Sequence, residues 1–386
     1  MSDHANTAPR PLRLGMVGGG QGAFIGGVHR IAARLDGQYQ LVAGALSSDP
    51  ERARASGAEL GLAPERCYSD FRAMAQAEAA RPDGIEVVAI VTPNHLHHAV
   101  ACAFIEAGIH VVCDKPLTTT LADALDLQSR LAARPAQRFA LTHNYSAYPL
   151  MRAARAMVAS GQLGEVRIVQ VEYAQDWLAE PLEATGQKQA SWRTDPALAG
   201  PAGALGDIGT HAAQLAEFVS GLTPQELSAD LMSFVPGRRV DDHVQVQLRY
   251  ANRARGLLWA SQVATGEENH LRLRVYGSRA ALHWDQEQPN ELTFHPAGEP
   301  ARRLTRGMAS LPAEAGAATR TPGGHPEGYL EAFAQIYRDF AEDVRDAQAG
   351  RESPPRVPGL SDGVRGLQFV EAVLRSHAQN AAWVAL

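Results

Sequence analysis

The chain of 386 residues is long enough to form two domains rather than one. Its 45% apolar and 20% charged residues are typical of a globular protein, and a net charge of −6 with interspersed signs argues against nucleic-acid binding through a basic surface. The sequence has no apolar run long enough to span a membrane, and its first residues lack the apolar stretch that is typical of a secretory signal. Three cysteines in apolar contexts predict buried thiols in a reducing compartment, and therefore a cytoplasmic protein.

Strand and helix patterns alternate through the first 145 residues, after a lead before Leu12 that we expect to be disordered. The near-continuous apolar run at 85–92 is typical of a strand buried on both faces of a parallel sheet. Further strands are predicted at 12–18, 39–46, 110–113 and 138–145, and helices at 27–35, 71–81, 98–108 and 121–131. Such repeated units predict a doubly wound parallel sheet with right-handed crossovers.

The second half has a different pattern, in which apolar and polar residues mostly alternate. This period predicts antiparallel strands with one wetter face at 166–174, 243–251, 255–263 and 270–284. A loop rich in Gly, Ala, Pro and Arg is predicted at about 297–326, followed by helices at 326–347 and 363–377. We therefore predict a dinucleotide-binding domain at 1–145 and an α+β domain at 146–386. An exposed face of its sheet predicts a homodimer or homotetramer.

A glycine-rich loop, "LGMVGGGQGAFIGGVH", follows the first strand and opens the first helix. Gly18, Gly20 and Ala23 satisfy the pattern G-x-G-x-x-G/A, in which the first glycine permits a tight turn and the second lets the backbone approach a pyrophosphate. The N-terminus of the helix then supplies N–H groups to the anion. The loop favours dinucleotide binding, with a flexible glycine turn without a ligand as the alternative.

The end of the second strand bears on which nicotinamide cofactor is bound. An acidic residue there would bind the ribose 2′-hydroxyl, but the sequence has Ser47 and Ser48. Arg52 and Arg54 are close enough in sequence to meet a 2′-phosphate. Both NAD and NADP stay open from these residues, with NAD favoured.

Lys115 lies at the carboxyl end of a predicted strand, in "HVVCDKPLTTTLADAL". Ligands of open parallel sheets lie outside the carboxyl ends of the strands. Pro116 restricts Lys115 toward an extended backbone, which indicates a lysine aimed at one point. The alternative is a surface lysine whose stem covers apolar surface.

Asp207 and His211 lie four residues apart in "GDIGTHAAQL", where a helix starts. If the helix begins at about Asp207, both side chains share one face. A histidine there can take the proton of a hydroxyl group, with the aspartate orienting the substrate or the imidazole. The alternative is an aspartate that only caps the helix. No third ligand with suitable spacing is evident, so we predict no metal site.

Four segments resemble the Gfo/Idh/MocA oxidoreductases, typified by glucose–fructose oxidoreductase and inositol dehydrogenases. They are the glycine loop with "IGGVH", then "VTPNHLHHAVA", "CDKP" in place of E-K-P, and "WRTDPALAGPAGALGDIGTH". The resemblance covers nearly the whole chain. It implies an α/β protein with an N-terminal Rossmann domain and a C-terminal α+β domain that has an open, mainly antiparallel sheet. The glycine loop is three residues longer than the family's, which aligns Ile25 and Gly26 with its end, and Ser47 replaces the usual aspartate.

The resemblance also implies roles for individual residues. Lys115, Asp207 and His211 would form a catalytic triad, with His211 the acid–base. Pro93, Asn94 and His97 would lie near the nicotinamide ribose, whereas His95 and His98 would face solvent. Further cofactor contacts would come from Phe24, Ile25, Ser47, Arg52, Thr92, Asp114, Lys115, Asn144, Trp192 and Arg193. Substrate contacts would come from Lys115, Asn144, Asp207, His211 and His325.

These features together predict an NAD(P)-dependent oxidoreductase. It would transfer a hydride between the nicotinamide and a secondary hydroxyl of a sugar or an inositol-like cyclic polyol. One alternative is redox-assisted glycoside processing through a 3-keto glycoside. A second alternative, a non-catalytic dinucleotide-binding regulator, is disfavoured by the presence of Lys115 and His211.

Overall fold

The first sheet has five parallel strands, in the order β2-β1-β3-β4-β5, in a computed structural model that describes residues 9–386. Residues 1–8 of the predicted lead lie outside the described residues. The strands are β1 (Leu12–Gly18), β2 (Tyr39–Ala45), β3 (Val87–Val91), β4 (His110–Cys113) and β5 (Phe139–Leu141). The helices between them are α1 (Phe24–Leu35), α2 (Pro50–Glu59), α3 (Phe71–Ala80), α4 (His97–Glu106) and α5 (Leu121–Ala132).

The two central strands explain why this sheet is parallel. Every residue of β3 and β4 is buried, so both faces of the sheet must be covered by helices. The strand order reverses direction between β1 and β3, which is the switch point where ligands of such sheets bind. The carboxyl ends of the strands therefore form one edge, at Gly18, Thr92, Asp114 and Thr142.

The second sheet has nine strands, in the order β13-β12-β11-β10-β6-β9-β8-β7-β14, and every neighbouring pair is antiparallel except β6 and β9. Helices α6 (Pro149–Ala159) and α9 (Thr210–Ser220) share the core on its inner face. Between β6 and α9 lie the short helices α7 (Lys188–Arg193) and α8 (Pro196–Ala199). The strands are β6 (Val166–Ala174), β7 (Pro224–Met232), β8 (His243–Tyr250), β9 (Arg255–Ser261), β10 (His270–Gly277), β11 (Ala280–Asp285), β12 (Glu291–Pro296), β13 (Arg302–Thr305) and β14 (Val384–Ala385). The predicted fold class is confirmed.

The prediction of one long loop at 297–326 is wrong in two places. The segment contains strand β13 and helix α10 (Ala313–Ala318). Their apolar content is too low for a periodic pattern, because β13 adds only an edge to the sheet and α10 buries alanines. Strand β7 was also missed, since it begins with a proline and its outward side chains are polar.

The last two helices pack back against the first sheet. In α11 (Tyr329–Gln348), Phe333, Tyr337 and Phe340 share a core with Val28 of α1. In α12 (Leu360–Ala378), Leu360, Val364 and Leu367 join the core of α5, whereas the later valines join the core of the second sheet. The C-terminal helices therefore share cores with the N-terminal half of the chain, and the domain division at residue 145 stays a prediction.

The two expectations drawn from composition have different outcomes. All three cysteines are free thiols, but only Cys113 is buried, whereas Cys67 and Cys102 are half-buried. Among the helices of residues 9–386, none has both the length and the apolar character needed to cross a bilayer.

Candidate active site

The carboxyl edge of the first sheet holds two buried polar atoms that have no partner within residues 9–386. They are Thr92 Oγ1, after β3, and Asn144 Nδ2, after β5. Asn144 is 1% exposed, so water does not readily replace a partner there. Buried polar atoms are nearly always hydrogen-bonded in folded proteins. These two atoms are therefore candidates for contact with a ligand at the switch point, as the sequence predicts for both residues.

The glycine loop lies between β1 and α1, and side chains would not fit in it. Gly18 has a φ of +82°, which favours glycine. A Cβ on Gly20 would lie 2.6 Å from the carbonyl oxygen of Leu46, and one on Gly26 would lie 2.4 Å from Gly19 Cα. Gly26 therefore takes the last glycine position of the pattern, where the helix packs closely against the loop. Ala23, which the sequence predicts at that position, instead forms the N-cap of α1. No side chain of residues 9–386 caps this helix, so its first N–H groups are available to a phosphate, and the loop fits a dinucleotide.

Two adjacent glycines of α1 provide a matched test of this close approach. Gly26→Ala is expected to weaken dinucleotide binding by at least about tenfold and to lower the melting temperature, because the new methyl group meets backbone rather than a movable side chain. Gly27→Ala is expected to be neutral or stabilising by up to about 1 kcal/mol, since only Arg30 Nη2 lies near, at 4.0 Å. Fluorescence titration with NADH and thermal unfolding measure both effects. Equal effects of the two variants would contradict the close-packed role of Gly26.

The end of β2 offers no free carboxylate at the position of the predicted ribose contact. Ser47 Oγ accepts a hydrogen bond from Asp49 N at 3.2 Å. Asp49 is itself the N-cap of α2, where its carboxylate accepts from Arg52 N at 2.7 Å. The side chain of Arg52 is exposed. The contacts proposed for Ser47 and Arg52 stay predictions.

Lys115 meets Asp207 across the two halves of the chain. Lys115 Nζ donates to Asp207 Oδ1 and to the Asp207 carbonyl oxygen, both at 2.7 Å. The side chains are 15% and 21% exposed, so the alternative of a solvated surface lysine is wrong. The peptide bond between Lys115 and Pro116 is cis. The other carboxylate oxygen of Asp207 accepts from Gln262 Nε2 at 2.9 Å and lies 3.5 Å from Arg193 Nε.

These contacts determine the charge state of Asp207. Burial alone would raise the pKa of this carboxyl group, but the charges of Lys115 and Arg193 act in the opposite direction. Hydrogen bonds from Lys115 and Gln262 add to their effect, and the pKa of Asp207 lies well below its usual range. Asp207 is therefore an anion that holds the Lys115 ammonium group in place.

His211 lies one turn beyond Asp207 and is buried. Its ring packs against Tyr145 with centroids 4.9 Å apart, and its Nδ1 is 3.4 Å from His143 Nδ1. Burial, then the charge of Lys115 and the neighbouring His143, lower the pKa of His211 well below the ordinary value, although Asp207 opposes them. At neutral pH the ring is therefore neutral and able to accept a proton.

A wide turn brings Asp207 and His211 to this place. The predicted helix begins at Thr210, as α9, and the turn before it, Leu205–Gly209, is π-helical rather than α-helical. The carboxylate of Asp241 fixes the start of this turn by accepting from Gly203 N and Leu205 N, both at 2.7 Å. Single turns of π-helix are frequent at functional sites.

The sequence analysis missed a group of uncharged polar side chains near this cluster. Asn269 Oδ1 accepts from Tyr173 OH at 2.8 Å and from Gln175 Nε2 at 2.7 Å. Tyr173 OH is hydrogen-bonded to Tyr145 OH, and Gln262, the partner of Asp207, donates to Gln175 Oε1 at 3.3 Å. We call Tyr145, Tyr173, Gln175, Gln262 and Asn269 the polar wall. Its members lie in or next to four different strands, β5, β6, β9 and β10, so no local pattern predicts it.

The turn after β3 holds the predicted Pro93, Asn94 and His97, with different outcomes. His97 is buried, and its ring nitrogens lie 2.8 Å from the Pro116 carbonyl oxygen and 3.0 Å from that of Thr92. The ring thus braces the Lys115 loop, and its predicted place near the nicotinamide ribose stays a prediction. Asn94 Nδ2 donates to Ala199 O at 3.3 Å, across to the second half.

Asp114 and the predicted Trp192–Arg193 pair are close to the cluster, but His325 is not linked to it. Asp114 Oδ1 accepts from Thr142 Oγ1 at 2.7 Å and from Lys115 N at 2.9 Å. The guanidinium carbon of Arg193 lies 4.2 Å from the centre of the Trp192 ring. His325 is exposed, and within residues 9–386 no hydrogen bond or ring contact joins it to the triad. Phe24 and Ile25 form the first turn of α1, and their contacts with the cofactor stay predictions.

His98 was predicted to face solvent with His95, and this is correct only for His95. His98 Nε2 lies 2.7 Å from Asp126 Oδ2 and 3.5 Å from Cys102 Sγ, an arrangement whose ligand types suit zinc. Arg130 Nε already donates to the same Asp126 oxygen at 2.7 Å. Because a cation occupies the position beside that oxygen, we assign no metal to this cluster.

Comparisons with known proteins agree with this geometry. Residues 12–143 match the oxidoreductase family with an NAD-binding Rossmann fold, and residues 151–283 match the GFO/IDH/MocA C-terminal domain. An oxidoreductase structure from Sinorhizobium meliloti is 52% identical, with 97% of this chain and 100% of that chain covered and a TM-score of 0.89. An inositol dehydrogenase homolog from Azotobacter vinelandii, solved with NAD+, is 39% identical, covers 100% of both chains and has a TM-score of 0.95. Levoglucosan dehydrogenase from Pseudarthrobacter phenanthrenivorans is 28% identical over 97% of both chains.

The two matched regions contain most of the residues of this site, whereas Asn144 and Tyr145 lie between them. The glycine loop, Thr92, Lys115 and His143 lie in the first match, and Asp207, His211 and Gln262 lie in the second. The first match implies NAD. Two features fit this cofactor, namely the glycine loop, which has no room for side chains, and the N-terminus of α1, where no described side chain forms a cap. The chain thus belongs to the Gfo/Idh/MocA family of NAD-binding oxidoreductases.

Proposed function

We propose that the chain oxidises a secondary hydroxyl of a neutral sugar or cyclic polyol, with Lys115, Asp207 and His211 as the catalytic residues. The observation that carries the proposal is the ion pair of Lys115 and Asp207 beside a neutral His211, at the carboxyl edge of an NAD-binding sheet. The contacts predicted from the sequence for Thr92, Asn144 and Arg193 are retained as part of the proposal.

The three residues have complementary tasks in alcohol oxidation. NAD, when bound, accepts the hydrogen and its electron pair from the carbinol carbon. The hydroxyl proton moves to the neutral ring of His211, which acts as the general base. The Lys115 ammonium group donates a hydrogen bond to the same oxygen and stabilises its developing negative charge. Asp207 holds that ammonium group within 2.7 Å of its own oxygens and so fixes its position.

The polar wall supports a neutral substrate with several hydroxyl groups. Its phenol and carboxamide groups both donate and accept hydrogen bonds and carry no net charge. A phosphorylated or carboxylated sugar would need a cation, but Arg193 and Lys115 are already shared with Asp207. The Azotobacter vinelandii homolog has been solved with NADH and myo-inositol, which agrees with this class of substrate.

A substrate screen tests the proposal directly. Inositols, aldoses and glycosides are each mixed with the protein and with NAD or NADP, and the absorbance of the reduced nicotinamide is followed. We expect steady reduction of NAD with at least one neutral polyol. Binding of NADH without reduction in any mixture would instead favour a non-catalytic dinucleotide-binding protein.

The outer face of the second sheet supports the proposal of a homo-oligomer. Ile168 on β6 is 44% exposed and Leu257 on β9 is 49% exposed, and they are diagonal neighbours on the same face. Trp259, two residues beyond Leu257, is half-buried on this face. An apolar patch on an otherwise polar sheet face fits a second copy of the same chain.

Charge on this patch is expected to break self-association. Leu257→Glu places two carboxylates in a symmetric interface, so we expect a dimer or tetramer to become a monomer in light-scattering chromatography. Leu125→Glu is the matched control, because Leu125 is 45% exposed on α5, away from the sheet. If both variants elute with the same mass as the parent protein, the interface lies elsewhere.

A further inference from the structure

A second imidazole, that of His143, lies directly behind His211. His143 follows β5, and its Nδ1 is 3.4 Å from Nδ1 of His211. The two rings are nearly perpendicular, with centroids 5.3 Å apart, and both residues are buried. This contact lies outside the Lys115–Asp207 pair, and the alcohol chemistry described above does not use it.

The backbone around His143 holds the ring in place. His143 N donates to Leu141 O at 2.8 Å, and its own carbonyl oxygen accepts from Ser146 Oγ at 2.8 Å. The preceding residue, Thr142, is tied to Asp114 by its hydroxyl group at 2.7 Å. His143 is therefore a fixed partner for His211 rather than a mobile side chain.

The protonation of the pair allows two arrangements. A neutral imidazole carries one N–H, so two Nδ1 atoms that face each other share one hydrogen. Burial is the main cause that lowers the pKa of His143, to about 4; Lys115 and Arg365 also lower it, and Asp362 and Asp114 oppose. Both rings are thus neutral at pH 7. Either His143 donates and His211 carries its hydrogen on Nε2, or His211 donates and its Nε2 keeps a lone pair.

Only the second arrangement gives His211 a basic nitrogen on the side away from His143. We propose that His143 is a positioning residue that accepts the Nδ1–H of His211, so that Nε2 of His211 is left to take the substrate proton. This inference rests on the proposed role of His211 as the base. The proton then moves from the hydroxyl oxygen to Nε2, His211 becomes an imidazolium that keeps its Nδ1–H, and His143 stays neutral throughout.

Nitrogen NMR of the unmodified protein tests the tautomer without any turnover. With ¹⁵N-labelled histidine, we expect His211 to show a protonated Nδ1 and an unprotonated Nε2 at pH 7. The signals are assigned by their loss in His211→Gln. A protonated Nε2 with an unprotonated Nδ1 would overturn the proposal, whatever the activity of the protein.

Two variants of His143 test the consequence for catalysis. His143→Leu removes the acceptor, so we expect kcat to fall by about 10²-fold with the KM for NAD unchanged, as for other catalytic histidines that lose tautomer control. His143→Asn keeps an acceptor oxygen and is expected to recover most of that loss. Equal activity of His143→Leu and the parent protein would also overturn the proposal.

The decline of kcat/KM at low pH, its acid limb, is a further measurement. A purely structural role of His143 would not change the pH at which this decline occurs. His211 is faced by Lys115, His143 and Asp207, and only a positively charged His143 would lower its pKa. A neutral His143 that accepts the Nδ1–H instead stabilises the imidazolium form of His211. We therefore expect the acid limb to move to lower pH in His143→Leu. An unmoved limb would contradict the proposal. Failure of the proposed function can be told apart from failure of this inference. If His211 were not the base, His211→Gln would keep full turnover, and the NMR experiment would still determine the tautomer of His211.

Discussion

Lys115→Ala is expected to lower kcat by about 10³-fold while NADH still binds. The Lys115 ammonium group is the cation placed to stabilise the developing alkoxide, and removal of one such group typically costs about 10²–10³-fold in kcat. Loss of its part in holding the substrate adds to this effect. Steady-state kinetics with the best polyol from the screen, together with fluorescence titration of NADH, measure both quantities.

The fold should survive this change, because Asp207 does not lose all of its partners. Gln262 still donates to its carboxylate, and Arg193 lies 3.5 Å away. Removing one partner of a fully buried pair costs about 3–5 kcal/mol, but this pair is partly exposed and keeps a second cation, so we expect a smaller loss. Thermal unfolding measures that loss separately from turnover.

Lys188→Ala is the natural control, because the chain contains only Lys115 and Lys188 as lysines. Lys188 is exposed at the start of α7. Its removal is expected to leave kcat unchanged. If Lys115→Ala retained kcat within about threefold of the parent protein, the ammonium group would have no role in the chemistry, and Lys115 would only anchor Asp207.

The sequence predicted the parts of the site that depend on local signals. A fully buried run such as Val87–Val91 fits only a strand covered on both faces, and the lysine after the next strand must then lie at the same edge. The four-residue spacing of Asp207 and His211 placed both on one side of the chain, although the turn between them is wider than an α-helix. The place of the glycine loop between the first strand and the first helix was also predicted. The close-packed role of Gly26 is evident only from its contact with Gly19 in the structure.

Contacts between distant strands were beyond the sequence. Tyr173, Gln175 and Asn269 meet because β6 and β10 pair in a particular register, which no single segment encodes. His143 meets His211 because the end of β5 lies against α9. The amphipathic pattern of α11 gave its length but not the sheet against which it packs, because any apolar face satisfies that pattern.

His211→Gln is expected to lower kcat/KM by about 10²–10⁴-fold and to remove its acid limb. In the parent protein, burial and the charge of Lys115 lower the pKa of His211, so its base form persists to lower pH than for an ordinary histidine. The rate should therefore stay level as the pH falls through about 6.5 and decline only below it, where His211 gains a proton. Glutamine cannot gain that proton, so the residual rate of the variant should lack this inflection.

His95→Gln, which changes an exposed histidine in the same way, should keep both the rate and the inflection. An acid limb at or above pH 6.5 in the parent protein, or its persistence in His211→Gln, would assign the base to another group.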